Sequence, residues 1–244
     1  VVDRIETSLG AAVRDADMVV LATPVGSMPE MLTGIAPYLA ANAVVTDVGS
    51  VKGTVAAAAR AALGAGVARF VPGHPIAGTE RSGVDASFAS LYVGRRVVVT
   101  PLAENRPEAV SRVRAMWEAA GADVVIMSVE HHDEVLAATS HLPHLLAYAL
   151  VDMLARLDDQ RELYWFTAGG FRDFTRIASG DPPMWRDISV ANQTAIAHML
   201  RMYRDELERL IDAVERGDGN GLQEVFARAK AARDALISND NRKE

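Results

Sequence analysis

Histidine, hydroxyl and carboxylate side chains crowd between glycines in Gly73-His74-Pro75-Ile76-Ala77-Gly78-Thr79-Glu80-Arg81-Ser82-Gly83, directly after the apolar run Val67 to Val71. That run predicts a short buried strand, and ligands of open α/β sheets sit beyond the carboxyl ends of strands. Gly73 and Gly78 open backbone angles that other residues avoid, while Pro75 fixes its own φ and keeps His74 out of regular helix. The stretch therefore reads as a loop that holds one imidazole rigidly at the mouth of a crevice, which suits acid–base chemistry. A turn carrying a surface histidine accounts for the same short motif.

Two further groups of residues have chemical potential. His141, His144 and Tyr148 fall at i, i+3 and i+7, on one helical face beside an apolar stripe. With His131, His132 and Asp133 nearby they resemble metal-ligand material, but zinc sites usually take histidines four apart or cysteines, so no metal is expected. His131 and His132, near a helix start, read as solvated. Arg172 and Arg176 stand four apart with Asp173 and Asp181 close by. They form either a salt-bridged turn or a pair of planar forks suited to a carboxylate.

The elements that must position these groups change character along the chain. Asp17 to Ala22 and Ala43 to Thr46 predict strands, with helices over Met28 to Leu39 and Val51 to about Leu63. Further strands follow at Val67 to Val71, Arg96 to Thr100 and Asp123 to Met127, with a helix from about Pro107 to Ala120 between the last two. Strands separated by helices imply a parallel sheet covered on both faces. Thr23-Pro24 and Asp47-Val48-Gly49-Ser50 end the first two strands, at the sheet edge where the nicotinamide half of a dinucleotide would lie. Ser50 is also suited to capping the helix that follows it. Beyond residue 128 the β signal disappears. Apolar residues then recur at helical spacing over 142–154 and 196–214, and another helix is expected from about Gly221 to Ile237, capped by Asp218 or Asn220. Asp181-Pro182 reads as an N-cap and first helical residue. The expected fold is thus an α/β Rossmann-type parallel-sheet domain over residues 1–128, followed by an all-α helical domain over residues 129–244. A Gly-x-Gly-x-x-Gly turn and its acidic ribose partner do not occur in the chain, and Val1 to Thr7 looks like the segment that follows the second helix of a dinucleotide-binding domain, so the first βαβ unit is expected upstream of Val1.

Composition narrows the chemistry. The 244 residues carry a net charge of −7 and half are hydrophobic. This is enough for a sizeable core, but the charge disfavours nucleic acid and anionic membranes as partners. There is no cysteine, hence no disulfide or thiolate nucleophile, and no apolar run approaches the ~20 residues of a membrane span. A cytoplasmic protein acting on a small molecule is expected.

Three blocks carry a family resemblance. Thr46-Asp47-Val48-Gly49-Ser50-Val51-Lys52-Gly53, the His74 stretch, and Ser140-His141-Leu142-Pro143-His144 followed by Gly169-Gly170-Phe171-Arg172-Asp173-Phe174-Thr175-Arg176-Ile177-Ala178 resemble the prephenate/arogenate dehydrogenases of tyrosine biosynthesis. The similarity runs over nearly the whole chain. It implies oxidative decarboxylation of prephenate to 4-hydroxyphenylpyruvate, with hydride passed to NAD or NADP, NAD being expected. Arogenate dehydrogenase activity, giving tyrosine directly, is the alternative. The resemblance implies His74 as the catalytic base, with Ser50 between nicotinamide, histidine and substrate hydroxyl. It also implies Thr79, Glu80, His144, Arg176 and Trp185 around a dicarboxylate substrate, Arg172 and Asp173 in an ionic gate, Thr23, Pro24, Val48 and Ser50 against the cofactor, and a homodimer joined through intertwined helical domains. Two rivals remain. One is a truncated, non-catalytic dimer that binds no cofactor. The other is a different hydroxy-acid dehydrogenase, which the scarcity of lysine in the helical half (Lys230 and Lys243) disfavours.

Overall fold

The computed structural model describes residues 3–78, 86–157, 162 and 165–240, the side chains of 237–240 excepted. Its contacts divide the chain into two compact units, Val1–Ile196 and Ala197–Glu244. The first unit holds the strands. β1 (Met18–Leu21), β2 (Val44–Asp47) and β3 (Phe70–Val71) are parallel in that spatial order, with Leu21 opposite Asp47 and Thr46 opposite Val71. β4 (Gly73–Pro75), β5 (Arg96–Val99) and β6 (Asp123–Ile126) follow as a second group, joined to the first through Pro72.

The sheet departs from the all-parallel expectation at one place. β4 runs antiparallel to β5, with His74 opposite Val98, while β5 and β6 are parallel. Parallel pairing needs a crossover element, and the described residues between β4 and β5 contain no α-helix, so the chain doubles back. His74 therefore lies on a strand, not in the loop the sequence suggested. The expected strand over Val67 to Val71 is reduced to Phe70–Val71, because Gly64–Arg69 winds into 3₁₀ turns first.

Helices cover both faces. α1 (Leu9–Val13), α2 (Met28–Ile35) and α3 (Gly53–Leu63) bury Val13, Met28, Leu32, Ile35, Val55 and Ala59 against Val19, Leu21, Val45 and Phe70. In α2 the buried trio recurs at i, i+4 and i+7, the stripe one sheet-facing helix needs. On the other face α4 (Pro107–Ala119) sets Ala109, Val113 and Trp117 on Val44, Val71, Val97 and Val99. Adjacent Val44 and Val45 feed opposite cores, as the two-residue period of a strand requires.

α5 (Val129–Leu136) starts on Ser128, whose hydroxyl accepts from the His131 backbone N–H at 3.1 Å. A π-helical turn over Ala137–His141 joins it to α6 (Leu142–Ala155). α7 (Gly169–Thr175) and a 3₁₀ turn, Arg176–Ser179, precede α8 (Pro182–Ala191). Asp181 caps α8 by accepting from Met184 N–H at 3.1 Å, with Pro182 at the first helical position, as the sequence indicates. Trp185 and Ile188 carry α8 into the core to which α2 and α3 also contribute.

α9 (Gln193–Glu215) continues into the second unit, where α10 (Gly219–Asp240) follows. Asp218 accepts from the Gly221 N–H at 2.9 Å. Along α9, Leu200, Tyr203, Leu207, Ile211 and Val214 recur at helical spacing and are exposed. No helix among the described residues is long and apolar enough to cross a membrane.

Candidate active site

The turns after β1 and β2 lie side by side because the strands end in register. The Val48 N–H donates to the Leu21 carbonyl at 3.1 Å just beyond the paired ends. Thr23, Val48 and Ser50 are half-buried there and Pro24 is exposed. Beneath them Asp47 is fully buried. Its carboxylate accepts from the Gly49 N–H at 2.8 Å and the Gly73 N–H at 3.2 Å, and it forms an ion pair with the equally buried Lys52 ammonium. Lys52 also donates to the Gly73 carbonyl at 2.6 Å. Burial draws the Lys52 pKa down, against the pull of Asp47. Gly73 suits this close approach, since a Cβ there would sit 3.0 Å from the Asp47 carbonyl oxygen, a tight contact. The ion pair thus pins β4 to β2, and with it the backbone that carries His74.

Ser50 does not cap α3, contrary to the sequence reading. The helix begins at Gly53, three residues past Ser50. Its first N–H groups, on Lys52 and Gly53, instead donate to the two carboxylate oxygens of Asp133, each at 2.8 Å. A carboxylate brought in from α5 does what a local hydroxyl was expected to do.

Asp133 begins a chain of hydrogen bonds that ends at His74. Its Oδ1 lies 2.8 Å from His132 Nδ1, and His132 Nε2 lies 2.8 Å from His74 Nδ1. Burial raises the Asp133 pKa, but bonds from His132 and the α3 backbone outweigh this and hold it below the ordinary value. Ionised, Asp133 can only accept, so His132 donates to it from Nδ1, and in that tautomer its Nε2 carries the lone pair that accepts. His74 must then donate from Nδ1, which leaves the lone pair on Nε2. Burial, followed by the charge of Lys52 and the neighbouring His132 and His141, pushes the His74 pKa well below its usual value. The result is a neutral imidazole of fixed tautomer.

His132 is a correction to the sequence reading. It is fully buried, whereas His131 beside it is exposed. A signal was present, because His132 precedes the buried Leu136 by four residues and so shares its helical face.

His74 lines a cleft of about 610 Å³ with Pro75 to Gly78, Leu136, Thr139, Ser140, His144, Ile177, Gly180 to Asp181, Met184 and Trp185. His144 stacks on Trp185 with ring centres 3.8 Å apart and planes 23° from parallel, while its Nδ1 donates to the Ser140 carbonyl at 2.8 Å. Burial lowers its pKa. The three residues expected on one helical face have separate partners. His141 turns inward to Asn192, Nδ1 to Nδ2 at 3.3 Å, and burial takes its pKa to about 4. Tyr148 donates to the Gly180 carbonyl at 2.8 Å. Asn192 also donates to the Asp133 backbone carbonyl at 2.8 Å, tying the end of α8 to the relay.

Of the remaining sequence candidates, Arg172 and Asp173 are exposed on α7, and Arg176 is exposed one residue before the cleft-lining Ile177. Thr79 and Glu80 lie outside the described residues. Asp181 is the only carboxylate, arginine or lysine among the described residues lining the cleft. No three histidine, aspartate or glutamate side chains among the described residues are grouped to hold a metal ion. The edge formed by Thr23, Pro24, Val48 and Ser50 beyond two parallel strands fits the nicotinamide half of a dinucleotide.

Comparison with known proteins gives a consistent result. Residues 1–126 match the sequence family described as prephenate dehydrogenase, nucleotide-binding domain, and residues 128–228 match prephenate dehydrogenase, dimerization domain. Cyclohexadienyl dehydrogenase of Zymomonas mobilis is 38% identical over 96% of the chain, which covers 80% of that protein. Prephenate dehydrogenase of Bacillus subtilis is 36% identical over 97% of the chain, which spans 64% of it. Among solved structures, prephenate dehydrogenase from A. aeolicus in complex with hydroxyphenyl propionate and NAD⁺ superposes with a TM-score of 0.87 at 39% identity, covering 95% of this chain and 80% of that one. Synechocystis arogenate dehydrogenase superposes with a TM-score of 0.79 at 29% identity, covering 95% of this chain and 82% of that one.

Proposed function

This chain belongs to the prephenate dehydrogenase family, and on that footing we propose that it converts prephenate to 4-hydroxyphenylpyruvate in tyrosine biosynthesis, with His74 as general base. The observation that carries the reading is a buried, neutral imidazole, its Nδ1 tied to His132, lining a cleft of about 610 Å³ that holds a stacked Trp185–His144 pair. Nicotinamide at the β1–β2 edge would supply the hydride acceptor. His74 Nε2 takes the proton of the ring hydroxyl as the C4 hydride departs. The C–C bond to the ring carboxylate then breaks, and its electron pair restores aromaticity as CO₂ leaves. A positioned base contributes ~10²–10⁴-fold to such a step. The relay from Asp133 holds that base in one tautomer, and the cleft wall shields it from water.

Several finer assignments belong to the same proposal. Ser50 lies between nicotinamide, His74 and the substrate hydroxyl, and Thr23, Pro24 and Val48 contact the cofactor, for which NAD is the choice. Arg176 holds a substrate carboxylate, Thr79 and Glu80 orient substrate, and Arg172 with Asp173 forms a gate. The chain divides at 128/129 into a dinucleotide-binding domain and a helical domain. The exposed apolar stripe on α9 supports a homodimer, and a cytoplasmic setting suits a small-molecule enzyme of this kind. A second reading, that arogenate is also used, is favoured by Asp181, a carboxylate in the cleft wall that could pair with an amino group on the substrate side chain. Incubation with prephenate or arogenate and either NAD or NADP, following reduced nicotinamide and the aromatic product, tests the proposal. Formation of 4-hydroxyphenylpyruvate is expected, and no aromatic product from either substrate would overturn it.

A further inference from the structure

The wall of the cleft is narrowest in side-chain terms at Gly180. Its backbone angles, φ −64° and ψ 167°, are open to any residue, so conformation does not demand glycine there. Space does. A Cβ on Gly180 would lie 2.6 Å from Trp185 Nε1, 3.0 Å from its Cδ1 and 3.4 Å from the Tyr148 hydroxyl. An indole is a rigid plate, so it could yield only by moving as a whole, about an ångström to regain ordinary van der Waals separation. One face of the plate is already occupied by the His144 ring at 3.8 Å between centres. The Tyr148 hydroxyl holds the Gly180 carbonyl at 2.8 Å, and the Asp181 carbonyl accepts from Trp185 N–H at 3.1 Å, so the backbone behind the plate is tethered at both residues.

We propose that Gly180 is the positioning residue that sets the aromatic wall of the cleft. The missing side chain lets Trp185 lie back against the chain and keep His144 stacked beside the space a cyclohexadienyl ring enters. This rests on the substrate reading above, although its geometric half can be tested without it. Gly180→Ala pushes on the Nε1–Cδ1 edge of the indole, displaces it from its place in the cleft wall and breaks its stack on His144. A displacement of this size at a substrate-positioning group costs up to ~10²-fold in kcat/KM. The loss falls on KM, because the wall contacts substrate in the ground state as well as in the transition state, while His74 and its relay are untouched.

The first test compares steady-state kinetics of the full chain with those of Gly180→Ala, Trp185→Phe and the double variant, using prephenate and NAD. KM should rise at least tenfold in Gly180→Ala with kcat within about twofold. Adding Gly180→Ala to Trp185→Phe should cost nothing further, because the smaller ring leaves room for the methyl group. A second test needs no turnover. Protonated imidazole quenches a stacked indole, so the emission lost on Trp185→Phe should fall as pH is lowered through the His144 titration in the wild type, and this dependence should vanish in Gly180→Ala. Additive kinetic effects of the two substitutions, or an unchanged pH-dependent emission in Gly180→Ala, would overturn the proposal. Absence of turnover in the wild type would instead strike the substrate reading and leave the emission experiment to decide the role of Gly180.

Discussion

His132→Phe isolates the relay from the base it serves. The ring volume is nearly kept, but His74 Nδ1 loses its acceptor at 2.8 Å and Asp133 loses one of three donors. The cap on α3 survives, because the Lys52 and Gly53 N–H groups still reach the Asp133 carboxylate. The cost therefore concentrates on His74, whose Nδ1–H is left buried without a partner and whose tautomer is no longer fixed. One such unsatisfied group costs about 1–3 kcal/mol. If that energy is lost from the correctly poised ground state, kcat should fall by roughly 5- to 150-fold at about 0.59 kcal/mol per e-fold. This is less than the ~10²–10⁴-fold expected for losing the base altogether. KM for prephenate should change little, since His132 does not line the cleft. The assay is kcat and KM for prephenate with NAD across pH, beside a thermal melt to confirm folding. In the wild type, the acidic limb of kcat/KM should lie below the ordinary histidine value of ~6.5, because His74 is held neutral by burial and by Lys52. A folded His132→Phe chain with wild-type kcat and an unmoved acidic limb would refute the relay.

Four shorter expectations accompany it. His74→Asn should lower kcat by ~10²–10⁴-fold with KM nearly constant, and a kcat within threefold of wild type would remove His74 from the base role. Arg176→Gln should chiefly raise KM for prephenate in initial-rate kinetics, by up to about fivefold, since Arg176 is exposed and an exposed ion pair is worth about 0.2–1 kcal/mol; an unchanged KM would dissociate Arg176 from the substrate. Lys52→Met leaves Asp47 buried beside no cation and should cost about 3–5 kcal/mol of stability by urea unfolding, with a loss under 1 kcal/mol speaking against the ion pair. Acid should destabilise the fold by way of its buried histidines. His141, at about 4, and His74 are held below their unfolded value of ~6.5, so the unfolded chain binds more protons as pH falls through that window. Stability should be level above ~6.5 and decline toward pH 4; a flat melting temperature across that window would contradict the burial of these rings.

Much of this protein is legible in its residues taken locally. The period of apolar side chains places α2, α4 and α6 within a few residues of their ends, and Asp181-Pro182 starts α8 where its cap chemistry says it must. His74 stands out because glycine and proline fix its backbone, which is a local property. Apart from the strand shortened by the 3₁₀ turns over Gly64–Arg69, the failures are pairings between distant segments. His132 looks like a surface residue beside His131 until β4 arrives 58 residues away in sequence and supplies a buried partner. Ser50 is a good cap by composition, yet the N–H groups of α3 go to a carboxylate 81 residues from Lys52. Strand direction at β4 is likewise undetermined by its own three residues, since parallel and antiparallel ladders accept the same side chains and only the path of the connecting chain chooses. Local sequence limits which conformations and protonation states a residue can adopt. Which one it takes is decided by whatever desolvates it, and that partner exists only once the chain has folded.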